Sequence, residues 1–135
     1  MKEMTVQATL ENIEVVTDFV NAELDRLDCP EHARAQIDIA IDELFGNIAR
    51  YAYDPQEGPA TVRIETQENP QRVILTFTDH GVKYNPLLKE DPELPKKARE
   101  RSIGGLGIFM VKQTMDAVEY QYKDGSNILT LVKNL

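Results

Sequence analysis

Apolar residues alternate with polar ones in some stretches of the chain and recur at helical spacing in others. Residues 3–10 alternate, which predicts a strand, whereas residues 11–27 and 30–52 have the three-to-four-residue spacing of amphipathic helices. On the second helix the apolar positions form one stripe, about a third of the circumference wide. They are Ile37, Ile41, Leu44, Phe45, Ile48 and Ala52.

The second half of the chain has the same two patterns. A hairpin is predicted from alternating strands at 60–68 and 71–78, and two further strands at 117–123 and 128–133 follow a helix that ends near Met115. This order predicts an α/β sandwich in which helices cover one face of a mixed, largely antiparallel sheet.

Length and charge limit the function classes. The 135 residues suit a single domain, 1–135, and 41% of them are hydrophobic, enough for one core. A net charge of −8 disfavours binding to nucleic acid or to an anionic membrane surface. One cysteine, Cys29, excludes a disulfide within the chain. Without an apolar N-terminal segment or a stretch of 18 apolar residues, we expect a cytoplasmic protein.

Residues 80–103, called the lid segment below, are dense in charge and contain three prolines. Such a polar stretch contributes little to a core, so it predicts a mobile surface lid.

Three local features carry candidate chemistry. The first is the pair Glu43 and Asn47, which lie four residues apart and therefore share a helix face, away from the apolar stripe. This arrangement directs both side chains into a cleft. Taken alone, the pair is more typical of an ordinary solvated helix face.

The second feature is Asp79 and Gly81 at the end of a predicted strand, with Pro86 five residues after the glycine. A carboxylate only accepts hydrogen bonds, and so it complements the N6 amino group of adenine. Gly81 would let a flat base approach the backbone. An ordinary strand-exit turn would use the same residues.

The third feature is the run Gly104, Gly105, Leu106 and Gly107 at the start of a helix. Free N–H groups and the helix dipole favour anions there, and glycines allow phosphates to approach. Neither the P-loop nor the dinucleotide fingerprint fits this spacing. A flexible hinge between the lid segment and the helix is the alternative.

In this order the three features resemble the nucleotide-binding motifs of the histidine-kinase-like ATPase superfamily, which includes gyrase and sensor kinases. Residues 43–47 resemble its N box, 79–86 its first glycine box and 105–107 its second. Residues 47–53 and 105–116 resemble the anti-sigma-factor serine kinases in particular. The resemblance covers nearly the whole chain and implies a Bergerat-type ATP-binding fold.

The resemblance also implies roles for single residues. Asp79 would bind adenine N6, partly through water, and Thr130 would support the adenine site. Asn47 would coordinate Mg²⁺ that bridges the phosphates of ATP, and Glu43 would be the general base. Gly104, Gly105, Leu106 and Gly107 would bind the nucleotide, and Gly105 and Gly107 would frame its phosphates. Arg101 would neutralise charge on the transferred phosphoryl group.

Two residues depart from the family pattern. Tyr51 stands where many members have histidine, and Gly46 stands where a bulkier residue is usual. Gly46 would admit a group packed tightly against the helix.

The resemblance implies a serine kinase that phosphorylates a STAS-domain antagonist and controls a sigma factor, with homodimers expected and no nucleic-acid or membrane partner. Two alternatives stay open. One is a non-catalytic module that binds partners in an ATP-dependent way. The other is a detached catalytic domain of a two-component histidine kinase, although no helical hairpin with a phosphoacceptor histidine is evident.

Overall fold

The computed structural model describes residues 1–88 and 106–135. Five strands form one sheet: β1 (Lys2–Gln7), β2 (Pro59–Gln67), β3 (Arg72–Asp79), β4 (Ala117–Lys123) and β5 (Ser126–Asn134). Three α-helices accompany it: α1 (Ile13–Arg26), α2 (Glu31–Asn47) and α3 (Leu106–Thr114). Short 3₁₀ turns lie at Leu10–Asn12 and Pro86–Leu88.

The sheet has the strand order β1-β2-β3-β5-β4, and all four pairings are antiparallel. The hairpin between β4 and β5 follows from its turn residues, because Asp124 and Gly125 have φ angles of 52° and 80°. Two consecutive positive φ angles define the tight turn that Asp-Gly favours. The register of β3 against β5 places Asp79 opposite Asn127 at the end of both strands.

The helices cover one face of this sheet. Every second residue of β3 is buried, from Val73 to Asp79, and these residues meet the buried faces of the helices. Helix α2 lies in the middle, since it contacts both α1 and α3. Its predicted stripe forms the centre of the core, with Ile37, Ile41, Leu44 and Phe45 at most 1% exposed. The predicted sandwich, with helices on one face of the sheet, is confirmed.

The predicted helix 30–52 changes its geometry near its end. After Asn47 the chain continues as a π-helical turn, Ile48–Ala52. The last carbonyls of a helix lack partners within the helix. Here the Ala52 carbonyl accepts the backbone N–H of Val82 at 2.9 Å, which ties the helix end to the start of the lid segment.

Only residues 80–88 of the predicted lid segment are among the described residues, and 89–103 lie outside them. In the described ranges, no helix is both long and apolar enough to cross a membrane.

Gly46 lies in the interior of α2, where a glycine destabilises a helix by about 0.8–1 kcal/mol relative to alanine. A Cβ at this position would come within 2.9 Å of Arg50 Nη1, which is the end of a flexible side chain. The guanidinium is therefore the group packed against Gly46.

We expect Gly46→Ala to raise the free energy of unfolding by roughly 0.5–1 kcal/mol in urea denaturation, because Arg50 can move aside. A destabilised variant would mean that the Arg50 position is essential to the fold.

Candidate functional site

A cleft opens where the end of α2 passes over the ends of β3 and β5. It holds about 410 Å³ of empty space, counting open solvent at its mouth. Its walls come from α2 and the π-helical turn, from three strands and from the first residues of the lid segment. They are Leu44, Asn47, Ile48, Tyr51, Ala52, Phe77, Asp79, Val82, Tyr84, Pro86, Tyr120, Asn127 and Leu129.

Asp79 is the buried carboxylate of this cleft, with 4% of its surface exposed. Its Oδ1 accepts the backbone N–H of Gly81 at 2.9 Å and the Asn127 Nδ2 amide at 2.9 Å. A buried carboxylate needs such donors to offset the water it loses. Both act on the same oxygen, so Oδ2 is left as an acceptor for a ligand. A free acceptor is what the predicted recognition of an amino group such as adenine N6 requires.

Asn127 is a residue of the candidate site that the sequence analysis missed. Its Nδ2 also donates to the Val82 carbonyl at 2.9 Å, while its Oδ1 accepts the Tyr84 backbone N–H at 3.0 Å and the Tyr120 hydroxyl at 2.5 Å. Burial raises the pKa of Tyr120, so this hydroxyl keeps its proton at neutral pH. The predicted strand 128–133 left Asn127 out, whereas the strand in the structure begins at Ser126 and puts Asn127 on the same face as the core residues Leu129 and Leu131.

Thr130 is not brought to this cleft. It pairs with Thr76, and it lines a depression on the opposite face of the sheet with Glu119, Tyr120, Gln121 and Ile128. Successive residues of a strand point to opposite faces, and Thr130 is an odd number of residues from Asn127 and Leu129. Its expected position at the adenine site is therefore corrected, and Asn127 occupies the place beside Asp79.

Gly81 is required for a reason other than the approach of a base. A Cβ on this residue would overlap the carbonyl group of Ala52. The glycine therefore lets the turn after β3 lie directly against the π-helical turn. This contact closes one side of the cleft.

Asn47 lies in the wall of the cleft and is 7% exposed. Its Nδ2 is buried and has no hydrogen-bond partner among the described residues. An N–H donor buried without a partner is rare in native proteins, and it could pair only with an acceptor such as water or a phosphate oxygen. The predicted magnesium contact would use the other end of this amide, its oxygen, which Mg²⁺ accepts as a ligand.

Glu43, one turn before Asn47, lies half-buried between α2 and the first turn of α3. A Cβ on Gly107 would overlap the Glu43 carboxylate, so the two residues are in direct contact. The structure thus joins the first predicted feature to the last one. Leu106 and Gly107 open α3, as expected, whereas Arg101, Gly104 and Gly105 lie outside the described residues.

Comparison with known proteins agrees with this geometry. The family model described as histidine kinase-like ATPase domain matches residues 6–133. The chain belongs to the histidine-kinase-like ATPase family. The family predicted from the three motifs is thereby confirmed.

Relatives within this ATPase family are named as serine kinases. The chain is 30% identical to the serine/threonine-protein kinase BtrW of Bordetella bronchiseptica, with 75% of this chain and 70% of that protein covered. It is also 30% identical to the serine-protein kinase RsbW of Halalkalibacterium halodurans, over 98% of this chain and 82% of the relative. The RsbW of Listeria innocua is 26% identical over 67% of this chain and 60% of its own length.

The contact of Gly81 with Ala52 gives a prediction about stability. Gly81→Ala would force a methyl group into the Ala52 carbonyl, which is backbone and cannot rotate away. We expect a loss of about 1–3 kcal/mol in the free energy of unfolding, measured in urea, because overpacking costs that much. Gly46→Ala is the matched control, since its added methyl meets only a flexible side chain. Equal effects of the two substitutions would contradict this account.

Proposed function

We propose that the chain is an ATP-dependent protein serine kinase that phosphorylates a STAS-domain antagonist and thereby regulates a sigma factor. The observation that carries the proposal is the cleft whose wall contains both the buried Asp79 carboxylate and Asn47, whose Nδ2 has no hydrogen-bond partner among the described residues. The serine-kinase names of the relatives support the same reaction class.

Different residues of the cleft bind different parts of the nucleotide. Asp79 Oδ2 accepts a hydrogen bond from the adenine N6 amino group, and Phe77 and Leu129 supply apolar wall beside the base. Asn47 holds Mg²⁺ through its amide oxygen. When bound, Mg²⁺ neutralises charge on the phosphate oxygens. Gly104, Gly105 and Gly107 frame the phosphates near the start of α3.

Glu43 acts as the general base. It takes the proton of the substrate serine hydroxyl as the serine oxygen bonds to the γ-phosphorus of ATP. The bond from the γ-phosphorus to the bridging oxygen breaks, and ADP leaves with the electron pair. Arg101 neutralises charge that develops on the transferred group. The products are phosphoserine, ADP and one proton.

The partners follow from the family resemblance. A sigma factor and a STAS-domain antagonist are the expected protein partners, and a homodimer in the cytoplasm is the expected assembly. Light scattering of the purified protein measures the mass of that assembly. The net charge of −8 fits protein partners better than nucleic acid.

Glu43→Gln tests the kinase chemistry. The amide cannot accept the serine proton, so we expect phosphoryl transfer from labelled ATP to STAS-domain proteins of the same genome to fall about 10²- to 10⁴-fold. Nucleotide affinity in calorimetry should change less than about threefold, because Glu43 does not touch the base. Asp42→Asn is the matched control, an exposed carboxylate at the preceding position of α2.

Two results would count against the kinase. If phosphoryl transfer survives Glu43→Gln, Glu43 is not the general base. If the unmodified chain transfers phosphate to no STAS-domain protein, the kinase assignment is wrong. If the partner affinity then still differed between ATP and ADP, the chain would be a binding module.

Asp79→Asn tests the adenine site. In this variant the new amide oxygen must accept from Gly81 and Asn127, so its NH₂ group turns toward the base. A donor then faces the N6 donor of adenine. We expect ADP affinity in calorimetry to fall about 10- to 100-fold, because a hydrogen bond to a charged group is lost and a donor stays unmatched. Asp18→Asn, an exposed position on α1, is the control. Unchanged ADP binding would place the base elsewhere.

A further inference from the structure

We propose that Asn127 is a positioning residue that fixes the Asp79 carboxylate for adenine and ties base recognition to Val82–Tyr84, the first residues of the lid segment. This inference rests on the proposed nucleotide site. Asn127 does not need to touch the base for this role. It acts through Asp79 on one side and through the backbone of the lid segment on the other.

The orientation of the Asn127 amide is fixed by its neighbours. The Tyr84 backbone N–H can only donate, so Asn127 Oδ1 must face it. Nδ2 then faces two acceptors, Asp79 Oδ1 and the Val82 carbonyl. With the Tyr120 hydroxyl as fourth partner, both donor hydrogens and both lone pairs of the amide are used. No flipped orientation satisfies this set.

This network holds the Asp79 carboxylate in one rotation. The terminal torsion of an aspartate is broad by itself, so its oxygens can exchange places unless neighbours fix them. Gly81 N–H and Asn127 Nδ2 both bind Oδ1 and leave Oδ2 toward the cleft. Without Asn127 only the Gly81 donor would remain among the described contacts, and the acceptor for adenine N6 would be less well placed.

The same side chain anchors the start of the lid segment. Val82 is 62% exposed and Tyr84 36% exposed, so burial holds these residues weakly. In the part of the chain that the structure describes, their backbone makes three hydrogen bonds to other elements. One joins Val82 N–H to Ala52, and the other two end on Asn127. Asn127 therefore links the oxygen that selects the base to the backbone that leads into the lid segment.

Binding of ADP and of inosine diphosphate to the full chain tests the positioning role by calorimetry. Inosine diphosphate has a carbonyl in place of the 6-amino group, so when bound in the same position as ADP it offers Asp79 Oδ2 no donor at position 6. We expect Asn127→Ala to weaken ADP binding about tenfold and inosine diphosphate binding less than about twofold. Ile128→Val, the next residue of β5 on the opposite face, should leave the affinity ratio unchanged.

Hydrogen exchange at the Tyr84 amide tests the link to the lid segment. We expect Asn127→Ala to speed this exchange several-fold without nucleotide, because the acceptor Oδ1 is removed. ADP should slow it in the unmodified chain and not in the variant. Asn127→Thr keeps one hydroxyl donor that can reach Asp79. Asn127→Thr should recover part of the preference for ADP, while hydrogen exchange at the Tyr84 amide stays fast. It replaces the alanine variant in both experiments if that variant does not fold.

The outcomes separate this inference from the proposed function. If Asn127→Ala weakens both nucleotides equally, the residue is merely structural, and the inference fails while the nucleotide site stands. The double variant Asn127→Ala, Asp79→Asn is compared with Asp79→Asn alone by the ratio of ADP affinity to inosine diphosphate affinity. A lower ratio in the double variant would show that Asn127 does not act through Asp79. If the unmodified chain binds neither nucleotide, the proposed function fails first and this inference with it.

Discussion

A carboxylate is tolerated inside a protein only where hydrogen bonds replace the water that it loses. Asp79 meets this condition at the end of β3, where the Gly81 backbone and the Asn127 side chain donate to one of its oxygens. The rest of the site is arranged around this requirement. The sheet register sets Asn127 opposite Asp79, and the absence of a side chain on Gly81 lets the turn reach Ala52.

Helix α2 serves the core and the cleft with different residues. Its apolar stripe packs on the sheet, and the last residue of the π-helical turn at its end, Ala52, is bonded to the turn after β3. Wider turns of this kind are frequent at functional sites. Asn47 is the last residue before this turn, which places its amide in the wall of the cleft. The stability of the core and the position of Asn47, the candidate magnesium ligand, therefore both depend on α2.

Periodicity predicted most of the fold because each strand and helix repeats a local pattern that packing preserves. The contacts between elements were harder to predict. Thr130 was assigned from a family likeness, and Asn127 was missed because the predicted strand 128–133 began one residue after it, whereas the strand in the structure begins at Ser126. The reason for Gly81 lies at Ala52, and the group in contact with Glu43 is Gly107. Residues so far apart in sequence meet only through tertiary packing, which no local pattern encodes.

Glu43 and Gly107 illustrate why a short motif acquires meaning only in three dimensions. A glutamate on a helix face and a glycine at a helix start are each common, and each has an ordinary structural explanation. Their contact gives the glycine a specific reason, because a side chain at Gly107 would displace the Glu43 carboxylate. The N-terminal turn of a helix also attracts anions. In the proposed kinase, the contact places the general base beside the start of a helix suited to phosphate, which are two of the groups that phosphoryl transfer to a hydroxyl uses, and the cleft beside them would select the nucleotide.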